Sequence, residues 1–235
     1  KIIITMVTPV ILSTFIYNCN TSLNLTIYTR IMEHVKGFSE VEAYTQYGLF
    51  SGKAKQIANI PIAIASAMSS AMIPGISGSF AQGDIAGTNR RIGTAIKTTM
   101  FLSIPSAVGL AVLAKPVSWL LAALSISVVF YALSTISNAV LQGIGKVNLP
   151  VVNAAVALVI QTVVLVPLLL ATELGLFSLV IATVLYSLLM CILNGFSVRK
   201  ELKYRQEIIK TFLLPGWSAV IMGAAAFGVY HGLYL

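Results

Sequence analysis

Two lysines, Lys53 and Lys55, stand in a stretch otherwise apolar enough for lipid, GLFSGKAKQIANIPIAIASAMSSAMIPGIS (Gly48 to Ser77). A charged side chain at mid-bilayer costs about 2.5–3.5 kcal/mol on insertion scales. Such a residue faces a wet cavity or snorkels its charge to the interface. Counting from Lys55, Asn59, Ile62 or Ala63, Ser66 and Ser70 recur at helical spacing and share one face. Close helix packing also selects small residues. A cation at the head of the stripe suits a wet cavity better.

Two other helices repeat the pattern. The first carries Ser13, Tyr17, Asn20 and Asn24 on one face, with Thr14, Asn18 and Thr21 beside it and Arg30 toward its far end. The fourth carries Ser127, Tyr131, Ser134, Asn138 and Gln142. Three polar faces in one bundle predict a shared hydrated interior. Lys55 is the first candidate to hold a ligand there, with Lys53, Arg30, Asn59, Asn20, Asn24 and Asn138 around it.

The acidic residues point the same way. All seven (Glu33, Glu40, Glu42, Asp84, Glu173, Glu201 and Glu207) fall in predicted connections or helix ends. A proton-coupled exporter of cations is expected to hold an intramembrane carboxylate. Here the embedded charge is positive, which suits a phosphate or pyrophosphate. No enzyme constellation stands out. His34 and His231 are isolated, GISG and QGIG are turns, and Cys19 and Cys191 lie singly in apolar runs. No cofactor or metal is expected.

The elements that position these residues follow from composition. The chain is 57% hydrophobic and 9% charged, against about 25% charged in a soluble domain. Its mean hydropathy is +0.92. That pattern predicts an all-α integral membrane bundle, because open sheet edges cannot be satisfied in lipid. Seven helices are predicted: 2–32, 44–73, 92–114, 120–142, 149–172, 174–196 and 211–235. A lobe of six helices (1–196), a basic loop (197–210) and one further helix (211–235) follow. The start at Lys1 and the end in an apolar run suggest a piece of a longer protein.

The net charge of +8 does not signal nucleic acid, since no basic face alternates with aromatics. Lys1, Arg90, Arg91, Lys97, Lys146, Arg199, Lys200, Lys203, Arg205 and Lys210 fall on one side of the predicted topology, with only Lys36 and Lys115 in the opposite connections. The positive-inside rule then puts the N-terminus and loop 197–210 in the cytoplasm.

The stretches YGLFSGKAKQIANIPIAIASAMSSAMIPGIS and LSISVVFYALSTISNAVLQGIGKVNLPVVNAAVALV resemble the polysaccharide-biosynthesis branch of the MOP exporter superfamily. They are most like the stage V sporulation protein B and YtgP group, relatives of the MurJ lipid II flippases. The resemblance implies two pseudo-symmetric lobes around a central cavity, with this chain as the C-terminal lobe and the N-terminal lobe absent. It implies a multi-pass protein of the bacterial cytoplasmic membrane that flips a lipid-linked oligosaccharide or lipid II-like precursor by alternating access. It also implies that Lys55 first, then Lys53 and Arg30, meet the precursor's pyrophosphate. One departure is the short run AKPVSWLLAALSISVVFY, where such proteins have a longer connection. The alternatives are a MATE-like exporter of drugs on the same fold and a non-transporting scaffold for a cell-envelope synthase.

Overall fold

The computed structural model describes residues 2–114, 119–204, 207 and 209–233, without the side chains of residues 2–7, 9, 10, 13, 14, 17, 231 and 233. Everything regular among them is helical: α1 Ile2–His34, α2 Glu40–Gly48, α3 Lys55–Ala81, α4 Ile85–Leu113, α5 Trp119–Gly143, α6 Asn148–Ala171, α7 Leu176–Leu202 and α8 Leu214–Leu233. A π-helical turn, Leu49–Ala54, joins α2 to α3 into one 42-residue rod. A second π turn, Ile209–Leu213, leads into α8. Six helical stretches among the described residues are long and apolar enough to cross a membrane. α1, at 33 residues, has the length of a seventh.

α2 and α4 start ahead of their apolar stretches because their N-termini are capped. Ser39 caps α2 in a reciprocal box: its Oγ accepts the Glu42 N–H at 3.3 Å, and its own N–H donates to Glu42 at 3.0 Å. The predicted start at Tyr44 was therefore too late. Asp84 caps α4 by accepting the Gly87 N–H at 2.8 Å. Gly83 before it has φ +75°, which a side chain would strain. The predicted loop 197–210 is also shorter than expected. α7 continues to Leu202 because Val198 and Leu202, one turn apart, are both buried. Lys203 then ends the helix in a left-handed conformation.

Packing runs α1 on α6, α6 on α7, α7 on α5, and α5 on both α3 and α4; α8 packs on α4. α5 is the central post, with Leu124, Val128, Ala132, Ile136 and Leu141 buried. Around it, Phe101, Val159, Val163, Phe196, Trp217 and Ile221 are largely exposed along the outer helices. Exposed apolar surface on this scale marks a lipid-facing wall. Hydroxyls on the spans turn back on their own helices. Ser69 donates to the Ala65 carbonyl at 2.7 Å, Ser106 to Leu102 at 2.8 Å and Thr183 to Leu179 at 2.8 Å. The connections at one end hold Lys36, whose ammonium bonds Glu173 at 2.7 Å and the Thr172 carbonyl at 3.2 Å. The other end holds the Lys97–Glu207 pair at 2.7 Å and the Lys146–Glu201 pair at 3.1 Å.

Candidate substrate cleft

Two of the three predicted polar faces meet. Asn59, Ile62, Ala63 and Ser66 of α3 and Tyr131, Ser134, Thr135 and Asn138 of α5 line one open cleft of about 500 Å³. Ala154 of α6 and Tyr186 and Met190 of α7 close its far side. The rings of Tyr131 and Tyr186 sit 6.2 Å apart. The wall behind them is polar. Asn194 donates to Ser134 at 3.3 Å, Asn153 donates to Asn194 at 2.8 Å, and Asn153 also donates to Ser197 at 3.1 Å. Gln142 donates to Asn138 at 3.0 Å. A line of amides and hydroxyls thus runs from the cleft toward the basic end.

The third face goes elsewhere. Asn20 and Asn24 of α1 are buried against α6 and do not line the cleft. Asn24 donates to Asn20 at 2.9 Å and accepts from Gln161 at 2.7 Å. The three amides bond one another in the apolar α1–α6 contact, where burial is costly, while Gln161 Oε1 is buried with no hydrogen-bond partner among the described residues. The side chains of Ser13, Thr14 and Tyr17 lie outside the described residues.

The cations separate by burial. Lys55 is half-buried at the first position of α3, one turn from Asn59. Its ammonium reaches to the Thr21 hydroxyl of α1 at 3.4 Å. The Thr21 carbonyl accepts from Tyr47 at 3.2 Å. The π turn sets this geometry. A π turn adds one residue to the helical repeat, so it shifts the face on which Lys55 emerges. Lys53 lies inside that turn and is exposed. Arg30 is exposed on α1, with Nη1 3.3 Å from His34 Nε2. Neither lines the cleft, and Lys55 is not among its lining residues either. The seven carboxylates all lie at helix ends or in connections. Among the described residues, no group of His, Cys, Asp and Glu has the arrangement of a metal site. Lys115 and the short connection 115–118 lie outside the described residues.

A family profile described as lipid II flippase MurJ matches residues 3–121, just over half of the chain. The chain belongs to the MurJ lipid II flippase family. The lipid II flippase MurJ of Bacillus subtilis (strain 168) is 30% identical over 197 residues, covering 73% of this chain and 34% of that protein. The chain thus spans about a third of the length of the curated relative it matches. No solved structure matches it.

Three residues of this cleft and the wall behind it escaped the sequence reading: Asn153, Tyr186 and Asn194. Each is a polar-tipped side chain inside an apolar run, which is itself a signal of function or pairing. Their partners lie far off in sequence, so no helical periodicity connects them.

Proposed function

We propose that this chain is one lobe of a transporter that carries a lipid-pyrophosphate-linked cell-wall or polysaccharide precursor across the cytoplasmic membrane by alternating access. The carrying observation is the half-buried Lys55 set one turn from an amide- and hydroxyl-lined cleft, in a chain whose carboxylates all lie at helix ends or connections. A pyrophosphate brings concentrated negative charge, and one ammonium with several neutral donors can hold it without a permanent ion pair. Lys55 contacts the anion first. Asn59 and Asn138 hold its bridging atoms or the first sugar. Lys53 and Arg30 serve the approach.

The open cleft supports a second lobe of the same protein as its missing wall. The basic ends of α4 and α7 and Lys210 before α8 support a cytoplasmic position for that side. The family match supports the substrate class, since the relative's name is lipid II flippase.

The test uses the full-length protein in proteoliposomes. A lipid-pyrophosphate-linked sugar should change leaflet at a protein-dependent rate, and a panel of cationic drugs should not be exported. Drug export without lipid translocation would favour the MATE-like alternative. Neither activity, with growth dependent only on intact helix packing, would favour the scaffold.

A further inference from the structure

A second cleft lies away from the first, between the C-terminal half of α3 and the basic N-terminal turns of α4. It measures about 620 Å³ and is lined by Ala71, Met72, Gly75 and Ile76 of α3 and by Asp84, Gly87, Arg90, Arg91 and Thr94. Asp84 is the one acid there, and its carboxylate is engaged by the Gly87 N–H at 2.8 Å. Among the described residues, neither Arg90 nor Arg91 forms an ion pair or side-chain hydrogen bond, while Lys36, Lys97 and Lys146 each have a carboxylate. The Arg91 guanidinium lies over Gly75, with Nη1 3.2 Å from where a Cβ would stand. Glycine therefore lets the cation lie close against α3. The Thr94 hydroxyl donates to the Arg90 carbonyl at 3.1 Å, so its one donor is already used.

An apolar track leads to this cleft. Ile60, Ile64, Ala67 and Ala71 are exposed and recur at helical spacing on one face of α3, in line with Gly75. From Ile60 to Gly75 that face runs for about 22 Å. Two unneutralised guanidiniums at the end of an apolar track match a lipid with a multiply charged phosphate head. A free phosphate has no use for the track.

We propose that the Arg90–Arg91 cleft is a docking site for the pyrophosphate head of the lipid-linked substrate before it enters the central cleft, with its chain lying along Ile60, Ile64, Ala67 and Ala71. This rests on the lipid-pyrophosphate reading above. Each guanidinium offers a planar fork of N–H donors to phosphate oxygens, a geometry a lysine ammonium cannot supply.

The test is binding of undecaprenyl pyrophosphate to the full-length protein in phosphatidylcholine nanodiscs, read by native mass spectrometry. Arg90→Gln/Arg91→Gln should weaken binding about tenfold or more, the loss of at least one charge-assisted contact. Gly75→Leu, which removes no charge but displaces Arg91, should weaken it in the same direction. Arg199→Gln/Lys200→Gln, which removes equal charge from the same end, should bind like wild type. Equal loss in that control, or no loss in the arginine pair, would overturn the proposal. So would full displacement by equimolar phosphatidylglycerol, which would make the cleft a phospholipid seat. Lys55→Ala in the same titration separates the two readings. If it alone abolishes binding, the docking site falls and the central cleft stands. If wild type binds no pyrophosphate lipid, the transport reading falls and the docking site with it. Unchanged thermal midpoints exclude misfolding as the cause.

Discussion

At the residue scale, the cations sort by what their heads can reach. Lys53 is exposed and Lys55 bends to Thr21, two residues apart and on different faces. Lys53→Ala should therefore change transport less than about twofold, the effect of a solvated charge. Rates in proteoliposomes check it. The Asn20–Asn24–Gln161 cluster has a different role. Gln161 supplies the donor that Asn24 needs in the α1–α6 contact. Gln161→Leu should lower stability by about 0.6–2 kcal/mol, the range for hydrogen bonds between spanning helices. A reversible unfolding titration in mixed micelles measures this, and a loss below a few tenths would deny the cluster a structural role. The sequence showed Asn20 and Asn24 on one face but not which neighbour that face meets. Helical spacing fixes a direction around one axis, while the partner depends on how six other helices pack. That is why Asn59 and Asn138 share a cleft and Asn20 and Asn24 lie outside it.

At the element scale, α8 is the outermost helix and rests on α4 through a close approach. A Cβ on Gly223 would stand 2.7 Å from Val108 Cγ1 and 3.4 Å from Val112 Cγ2. Gly223→Leu should push α8 off α4 at a cost of about 1–3 kcal/mol. Gly216→Leu, with open space around it, should be near neutral. Thermal midpoints of the two variants distinguish them. The segment before α8 is pinned by Lys97 to Glu207. The Lys97 hydrogen bond, then the charges of Lys97 and Lys210, hold the Glu207 carboxyl below its ordinary 4.5. A lowered folded-state value adds stability that is fully present above 4.5 and is lost as pH falls through the lower value. Amide exchange near Lys210, corrected for intrinsic rate, should thus be constant from neutral pH down to 4.5 and speed up only in stronger acid. Acceleration already near pH 6 would rule out the clasp. Hydropathy located each of the seven long helices but not α2 as an element of its own, and it misplaced helix ends where caps such as Ser39 and Asp84 start a helix ahead of its apolar run. The π turn at Leu49–Ala54 carried no readable signal, since it alters backbone repeat and not residue type.

At the scale of the whole molecule, charge is polarised along the bundle. Arg90, Arg91, Lys97, Lys146, Arg199, Lys200, Lys203 and Lys210 gather at one end, against Arg30, Lys36, Lys53 and Lys55 toward the other. In a variant lacking Cys19 and Cys191, a cysteine at position 173 should react with an impermeant thiol reagent on intact cells, and one at position 146 should not. The reverse pattern would invert the topology and place Lys55 near the cytoplasm. The most direct test of the account is the translocation rate of a lipid-pyrophosphate-linked sugar by the full-length protein, compared among wild type, Lys55→Ala and Lys55→Arg. Lys55→Ala should lose about tenfold or more, the value of one charge-assisted contact, and Lys55→Arg should recover part of it. Equal rates in wild type and a folded Lys55→Ala would contradict it, and would make Lys55 a snorkelling residue that serves the fold alone.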